Sequence, residues 1–376
     1  MSSGPDVKWS TWFEIDLAAA RRNAARVKSL VGRAVKLGAV LKADAYGHGA
    51  VPVARALTGH CDFFCVARAS EALELRSAGI TGQILVMSES LPSQAAEIVE
   101  HDLVQTVSRV EIAEALSATA VRLGSRARVH LKVDTGMGRL GVLPDEAANL
   151  ARKLSGLPGL RLEGVSSHFS TAATDPEFAR EQLERFIACL KGIEAAGASA
   201  GLRHMANTAA VFNLPEAHFD MVRVGLAVYG LSPTAQSARE LGLEPVLSWK
   251  ARVVLCKRVP AGWSVSYDRT FTTSRPCNLA VLGAGYADGY PRALSNKARI
   301  LLRGKRFPVI GAVCMDQLVV DLGEETAEPG EEAVLIGQQD GEEVTAKELA
   351  GIMKTSVYEV VARLGKRPPR IWINGD

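Results

Sequence analysis

Between Val35 and about Leu231 one rhythm repeats eight times: a short apolar run, a polar or glycine-containing break, then a stretch rich in Ala, Leu, Glu and Arg. The runs are Lys36–Ala43, Phe63–Arg68, Gln83–Ser88, Leu103–Val107, Arg128–Thr135, Arg161–His168, Leu202–Asn207 and Phe219–Gly225. The segments between them, such as Ala69–Ala78, Ser108–Arg122, Pro176–Ala196 and the short Thr208–Asn213, mostly carry helical composition or periodicity. Parallel strands need crossover helices, and eight of them close on themselves without leaving an edge. The pattern predicts an α/β fold whose N-terminal part is a (β/α)8 TIM-type barrel. A doubly wound open sheet shows the same alternation, and spacing alone leaves it open.

After about Gly242 the texture becomes strand-rich. Pro245–Arg258, Asn278–Leu282, Ala298–Leu302, Phe307–Leu322 and Ala333–Ile336 read as strands separated by turns, and helical pattern returns only at Thr345–Met353 and Ser356–Leu364. The expected organisation is a barrel over residues 1–240 and a mainly β domain over 241–376, joined by a linker at Leu231–Leu243. Thr11–Leu17 precedes the barrel rhythm and is open to pairing with the second domain.

Charge narrows the partners. Lys+Arg number 44 and Asp+Glu 41, a formal net charge of +3 with no long basic run, so no electrostatic footprint for nucleic acid or an anionic membrane is present. A small-molecule partner is expected. At 47% hydrophobic and 23% charged the chain reads as globular. No window approaches the ~18 apolar residues of a membrane span, and Met1–Trp12 lacks the order of a signal peptide, which gives a cytoplasmic expectation. Six cysteines (Cys61, Cys65, Cys189, Cys256, Cys277, Cys314) show no metal-ligand spacing; they read as free thiols, and no metal is expected.

In a barrel of this kind catalytic groups gather where strands end and the following loops begin. Those positions hold Lys42, Asp44 and Tyr46 after the first run, Lys132 and Asp134 in the fifth with Arg139 in its loop, and His168 ending the sixth. Asn207 and Thr208 follow the seventh, and Arg223 and Gly225 close the eighth. The fifth run, Val129-His-Leu-Lys132-Val-Asp134, alternates so that Lys132 points into the barrel. A buried ammonium there leaves three outcomes: an ion pair with an internal carboxylate such as Asp134, a lowered pKa, or covalent modification. Two motifs are decoys. Asp134-Thr135-Gly136 has no second copy to form a carboxylate dyad. Gly283-Ala-Gly285-Tyr-Ala-Asp288-Gly289 spaces its third glycine wrongly for a dinucleotide site and reads as a turn.

The stretch Ala39-Val-Leu-Lys42-Ala-Asp-Ala-Tyr46-Gly-His-Gly49 carries the strongest signal, because a lysine ending an apolar strand can lose its charge and become a nucleophile toward an aldehyde. With His204-Met-Ala-Asn207-Thr208, Arg223-Val-Gly225-Leu226, Ser264-Val-Ser-Tyr267 and Cys314-Met315-Asp316, it makes the sequence resemble the alanine racemases over nearly its whole length. The resemblance implies pyridoxal 5'-phosphate held covalently by Lys42, which is also one catalytic base. Tyr267, supplied by the partner subunit of a homodimer, is implied as the other base.

Phosphate contacts are implied for Tyr46, Thr208, Tyr358 and the backbone of Gly225 and Leu226, with Asn207 in the same loop. Arg223 is implied to face the pyridine nitrogen, with His204 behind it and His168 near the ring. Substrate contacts are implied for Arg139, Met315 and Tyr286. Lys132 matches a family lysine often carbamylated and is implied to orient Arg139, while Arg292 belongs to the access segment and Asp316 to the Met315 motif. The sequence departs from the family pattern at Asp44, Thr208, Val224 and Asp268. The implied function is an isomerase that interconverts L- and D-alanine for peptidoglycan. A serine or broad-range racemase on the same fold is the nearest alternative, and a non-catalytic pyridoxal-phosphate carrier is a more distant one.

Overall fold

A computed structural model describes residues 8–232 and 241–375, so most of the expected linker lies outside the described residues. The described chain divides into two compact units. One contains Ala18–Ala45 and Ala50–Glu244; the other contains the residues up to Leu17, Tyr46–Gly49 and the chain from Pro245 onward.

The N-terminal strand is β1 (Thr11–Asp16). The barrel unit then follows with β2 (Lys36–Val40), β3 (Phe63–Val66), β4 (Gln83–Val86), β5 (Val104–Val107), β6 (Ala127–Lys132), β7 (Leu160–Ser166), β8 (Leu202–His204) and β9 (Met221–Val224). Their order is β8-β7-β6-β5-β4-β3-β2-β9, every pairing parallel. Asp220 N donates to Arg203 O at 3.1 Å and Arg223 N to Ala206 O at 2.9 Å, joining β9 back to β8. An open doubly wound sheet would reverse its strand order at a switch point; this one does not, and the barrel reading holds. All eight expected runs contain a strand; Lys132, His204 and Arg223 lie within β6, β8 and β9, while Lys42, Asp134, His168, Asn207 and Gly225 lie just beyond the strand ends. The chain must leave the ladder there for loops to form.

The crossover helices follow ordinary rules. Pro176–Ala195 begins at Asp175, whose side chain accepts from Phe178 N, has proline in its first turn, and buries Ala179, Leu183, Phe186, Leu190 and Ile193 at three- and four-residue spacing.

In the other unit, β10 (Leu247–Val259) is the spine. The further strands are β11 (Ser264–Val265), β12 (Phe271–Thr272), β13 (Cys277–Leu282), β14 (Arg299–Leu302), β15 (Lys305–Ile310), β16 (Leu318–Gly323), β17 (Glu332–Gln339), β18 (Glu342–Val344) and β19 (Arg370–Ile373). Because β17 pairs with both β14 and β10, the strands β10, β13, β16, β15, β14 and β17 close a ring. β1 joins it, antiparallel to β10 and parallel to β19, so the N-terminal strand belongs with the β unit. Phe13, Trp249 and Tyr290 stack edge-on at 5.0 and 5.6 Å inside it, and Trp249 Nε1 donates to Thr11 Oγ1 at 2.8 Å. The single strand expected over Phe307–Leu322 is two, β15 and β16. Gly311, at φ +70°, turns the chain out of the ladder between them.

Candidate active site

Lys42 stands just beyond β2, and the four residues after it, Ala43, Asp44, Ala45 and Tyr46, all have φ between +52° and +54°. A left-handed turn of non-glycine residues costs roughly 1–2 kcal/mol per residue, so the surroundings must impose it. Ala43 N donates to Glu71 Oε1 at 2.7 Å, Ala45 N to Leu41 O at 2.8 Å, and Ala50 N to Asp44 Oδ1 at 2.7 Å. The second Glu71 oxygen accepts from Ala67 N at 2.7 Å and Arg68 N at 3.1 Å, so one carboxylate binds the ends of β2 and β3 together. Tyr229 Oη donates to Val40 O at 2.8 Å from below. Burial lowers the Lys42 pKa, the Arg139 and Arg223 charges lower it further, and Glu71 opposes them.

Arg223 enters the barrel interior from β9 and is buried. Gly38 makes room: a methyl group there would lie 2.9 Å from Cys65 Sγ and 3.7 Å from Arg223 Cγ. The guanidinium Nη1 donates to His204 Nδ1 at 2.5 Å and His204 O at 3.2 Å. Nη2 donates to Ser167 O at 2.8 Å, His168 Nδ1 at 3.2 Å and Met205 O at 3.3 Å. None of these bonds uses Nε. Since a guanidinium only donates, both histidines accept at Nδ1 and are neutral. His204 Nε2 then donates to His130 Nδ1 at 2.8 Å. Burial, aided by the charge of Arg223, holds His168 and His204 well below the ordinary histidine range. His130 is pushed down to about 3 by burial and then by Arg128 and Arg223. Burial also lowers Arg223, to about 10, which leaves it a cation at neutral pH.

The loops after β8 and β9 meet where Gly225 N donates to Thr208 Oγ1 at 3.2 Å. Asn207 caps the helix Thr208–Asn213, its Oδ1 accepting from Ala210 N at 3.1 Å. Asp134 does not pair with Lys132. Its Oδ1 accepts from Gly136, Met137 and Gly138 N, and its Oδ2 from Arg139 N, closing the loop that carries Arg139. Among the described residues Lys132 takes part in no ion pair within 4.0 Å. Burial first, then Arg223 and Arg139, drive its pKa well below the ordinary lysine range.

Within the β unit, Tyr46 and Tyr358 stack edge-on at 5.5 Å. Tyr267 is 68% exposed at the tip of a turn, and Tyr286 and Met315 are also exposed. Asp268 pairs with Arg292 at 3.1 Å. Arg367 links Asp288 at 2.7 Å to Asp316 at 2.6 Å.

The sequence profile of the N-terminal domain of alanine racemases matches residues 15–233, and that of the C-terminal domain matches residues 246–372. Alanine racemases of Symbiobacterium thermophilum and Desulfovibrio desulfuricans are 46% and 44% identical to the chain, each over 96% of it and over 97% and 98% of the relative. The chain belongs to the alanine racemase family. Among solved structures, the alanine racemase of the D-cycloserine producer Streptomyces lavendulae superposes with TM-score 0.94 at 40% identity, covering 99% of both chains. That of Bacillus anthracis with bound L-Ala-P gives 0.91 at 36%, covering 98% of this chain and 97% of that one.

Asp44 Oδ1 accepts from Ala50 N, a role that an asparagine side-chain oxygen would also fill. Sequence reasoning missed Glu71, His130 and Arg367. Arg68-x-x-Glu71 has the spacing of a helix-start box, the one signal that pointed to Glu71. His130 and Arg367 carried none.

Proposed function

We propose that this protein is a pyridoxal-phosphate-dependent isomerase that interconverts L- and D-alanine, working as a homodimer in the cytoplasm and supplying D-alanine for peptidoglycan. The observation that carries the reading is Lys42, its pKa lowered by burial, at the head of a left-handed turn in the same barrel as a buried, cationic Arg223. A low-pKa amine is a nucleophile toward an aldehyde and a base at neutral pH. The donor set also suits the cofactor: among the described residues Arg223 Nε–H is the one guanidinium donor left without a partner, and Thr208 with the Gly225 and Leu226 backbone would hold the phosphate, where such sites are usual after the last two barrel strands. When bound, pyridoxal phosphate supplies an electron sink for the negative charge left on the substrate's α-carbon.

Lys42 takes or gives the α-proton on one face, and Tyr267 of a partner copy does so on the other, as two-base racemisation requires. Arg223, holding its protons at neutral pH, would orient the ring of a bound cofactor without delivering a full proton to it, which would favour return of a proton to the substrate's α-carbon. Arg139 and the Met315 N–H bind the substrate carboxylate. Lys132, its pKa driven down by burial, is suited to take up carbon dioxide as a carbamate, with release of a proton, and the carbamate would pair with Arg139. We place the domain boundary near residue 240.

In deuterated buffer the purified protein is expected to exchange the α-hydrogen of L-alanine and yield D-alanine, while Lys42→Ala loses both. Parental exchange by Lys42→Ala without an added amine would sink the proposal.

A further inference from the structure

The tyrosine turn is an unusual piece of backbone. Ser266, Asp268 and Arg269 have φ of +65°, +60° and +48°, and beneath them the hairpin β11–β12 contributes only two residue pairs, Ser264 with Thr272 and Val265 with Phe271. The apolar cluster of Val259, Val265, Cys277, Leu279 and Ile310 supports the hairpin's base and does not reach the tip. A tip with so little packing is held, if at all, by polar contacts.

Those contacts converge on the turn after Arg292. Asn296, itself left-handed at φ +59°, donates from Nδ2 to Thr270 Oγ1 at 3.1 Å and accepts at Oδ1 from Gly311 N at 2.6 Å. Asparagine tolerates that backbone better than other side-chain-bearing residues. Its neighbour Ser295 accepts at Oγ from Val313 N at 2.9 Å. On the far side Ser266 Oγ donates to Ala312 O at 2.5 Å. Gly311 is pressed so closely on the turn that a methyl group there would lie 2.8 Å from Val265 O. The 311–315 segment also anchors the Tyr286 turn, since Tyr286 N donates to Cys314 O and Ala287 N to Met315 O, both at 3.0 Å. None of these bonds uses the Met315 N–H. One carboxamide thus reaches both the loop that presents Tyr267 and the segment that presents Met315.

We infer that Asn296 is a positioning residue for proton transfer: it fastens the tyrosine turn to the Met315 segment and so fixes the phenol relative to the donor that holds the substrate carboxylate. The inference rests on the reading of Tyr267 as the second base and Met315 as a carboxylate contact. It also requires that whichever copy supplies Tyr267 to a site supplies Met315 to that same site.

Two substitutions separate the halves of the brace. Asn296→Gly removes the carboxamide and accepts the left-handed backbone without strain; Thr270→Val removes one acceptor and keeps its shape. In the cofactor-loaded enzyme, Thr270→Val is expected to lower kcat roughly fivefold, the worth of one neutral hydrogen bond, with KM for alanine unchanged because Gly311 keeps its partner. Thr270→Ser is expected to restore the parental value. Asn296→Gly is expected to lower kcat to a similar degree and also to raise KM. The double variant should have no lower kcat than Asn296→Gly alone. Amide hydrogen exchange should quicken at residues 265–270 in both single variants and at 311–315 only in Asn296→Gly. Parental kcat in both single variants, or kcat losses that multiply in the double variant, would overturn the inference. Tyr267→Phe tells its failure from that of the underlying reading. If Tyr267→Phe keeps full activity, the base assignment fails; if it is inactive while Asn296→Gly is parental, only the brace fails.

Discussion

Arg223 shows what a single charged residue costs and contributes inside a barrel. Its terminal nitrogens serve His204, His168 and the carbonyls of Ser167 and Met205, all neutral acceptors in a buried setting. Arg223→Met would remove the cation and strand those acceptors. A loss of about 3 kcal/mol in unfolding free energy is expected from the unsatisfied groups, measured by urea titration of the cofactor-free protein; an unchanged midpoint would contradict the accounting. Arg223 and Lys42 were legible in the sequence because each interrupts or ends an apolar run, where a charge needs a reason. That Asp134 leaves Lys132 unpaired by its carboxylate was not legible. Alternation placed Lys132 inside correctly, but Asp134 had four backbone N–H groups to satisfy, and that demand is visible only once the loop is folded.

Elements whose strands and helices recur in register were readable, and those closed by distant partners were not. The eight barrel strands announce themselves by repetition, whereas β19 is four residues long and owes its existence to β1, more than 350 residues earlier in the chain. The left-handed turn at 43–46 belongs to the second group: nothing in Ala-Asp-Ala-Tyr prefers that backbone, and a carboxylate from the helix Ala69–Ser77 sustains it. Glu71→Ala is expected to cost about 2 kcal/mol by stranding the N–H groups of Ala43, Ala67 and Arg68. Glu71→Gln keeps one acceptor oxygen and should cost less. Both remove the anion that raises the Lys42 pKa, so both should shift the lysine's titration to lower pH. Chemical modification of Lys42 against pH measures this, and a shift to higher pH in Glu71→Gln would contradict the assignment.

For the whole molecule, three buried neutral histidines set the response to acid. His130, His168 and His204 have folded pKa values depressed below the ordinary value, so below about pH 6.5 the unfolded chain binds protons that the folded one refuses. Their effect is absent above that pH. As pH falls, each removes roughly 1.4 kcal/mol of stability per pH unit until its own folded pKa is reached, for His130 about 3. Urea midpoints taken between pH 8 and pH 4 should fall with a slope that His130→Asn reduces; an unchanged slope would place the acid sensitivity elsewhere.

The proposed homodimer carries the central claim, that Lys42 of one copy and Tyr267 of another serve the same site. Lys42→Ala and Tyr267→Phe variants, each expected to be nearly inactive alone, are to be dissociated, mixed and reassociated. If the two bases come from different copies, every mixed dimer contains one site with both groups intact. About a quarter of parental racemase activity should then return, because random reassortment makes about half the dimers mixed and each has one working site. If both bases come from one copy, every site in the mixture still lacks one of them, and activity that stays at the level of the separate variants would contradict the account.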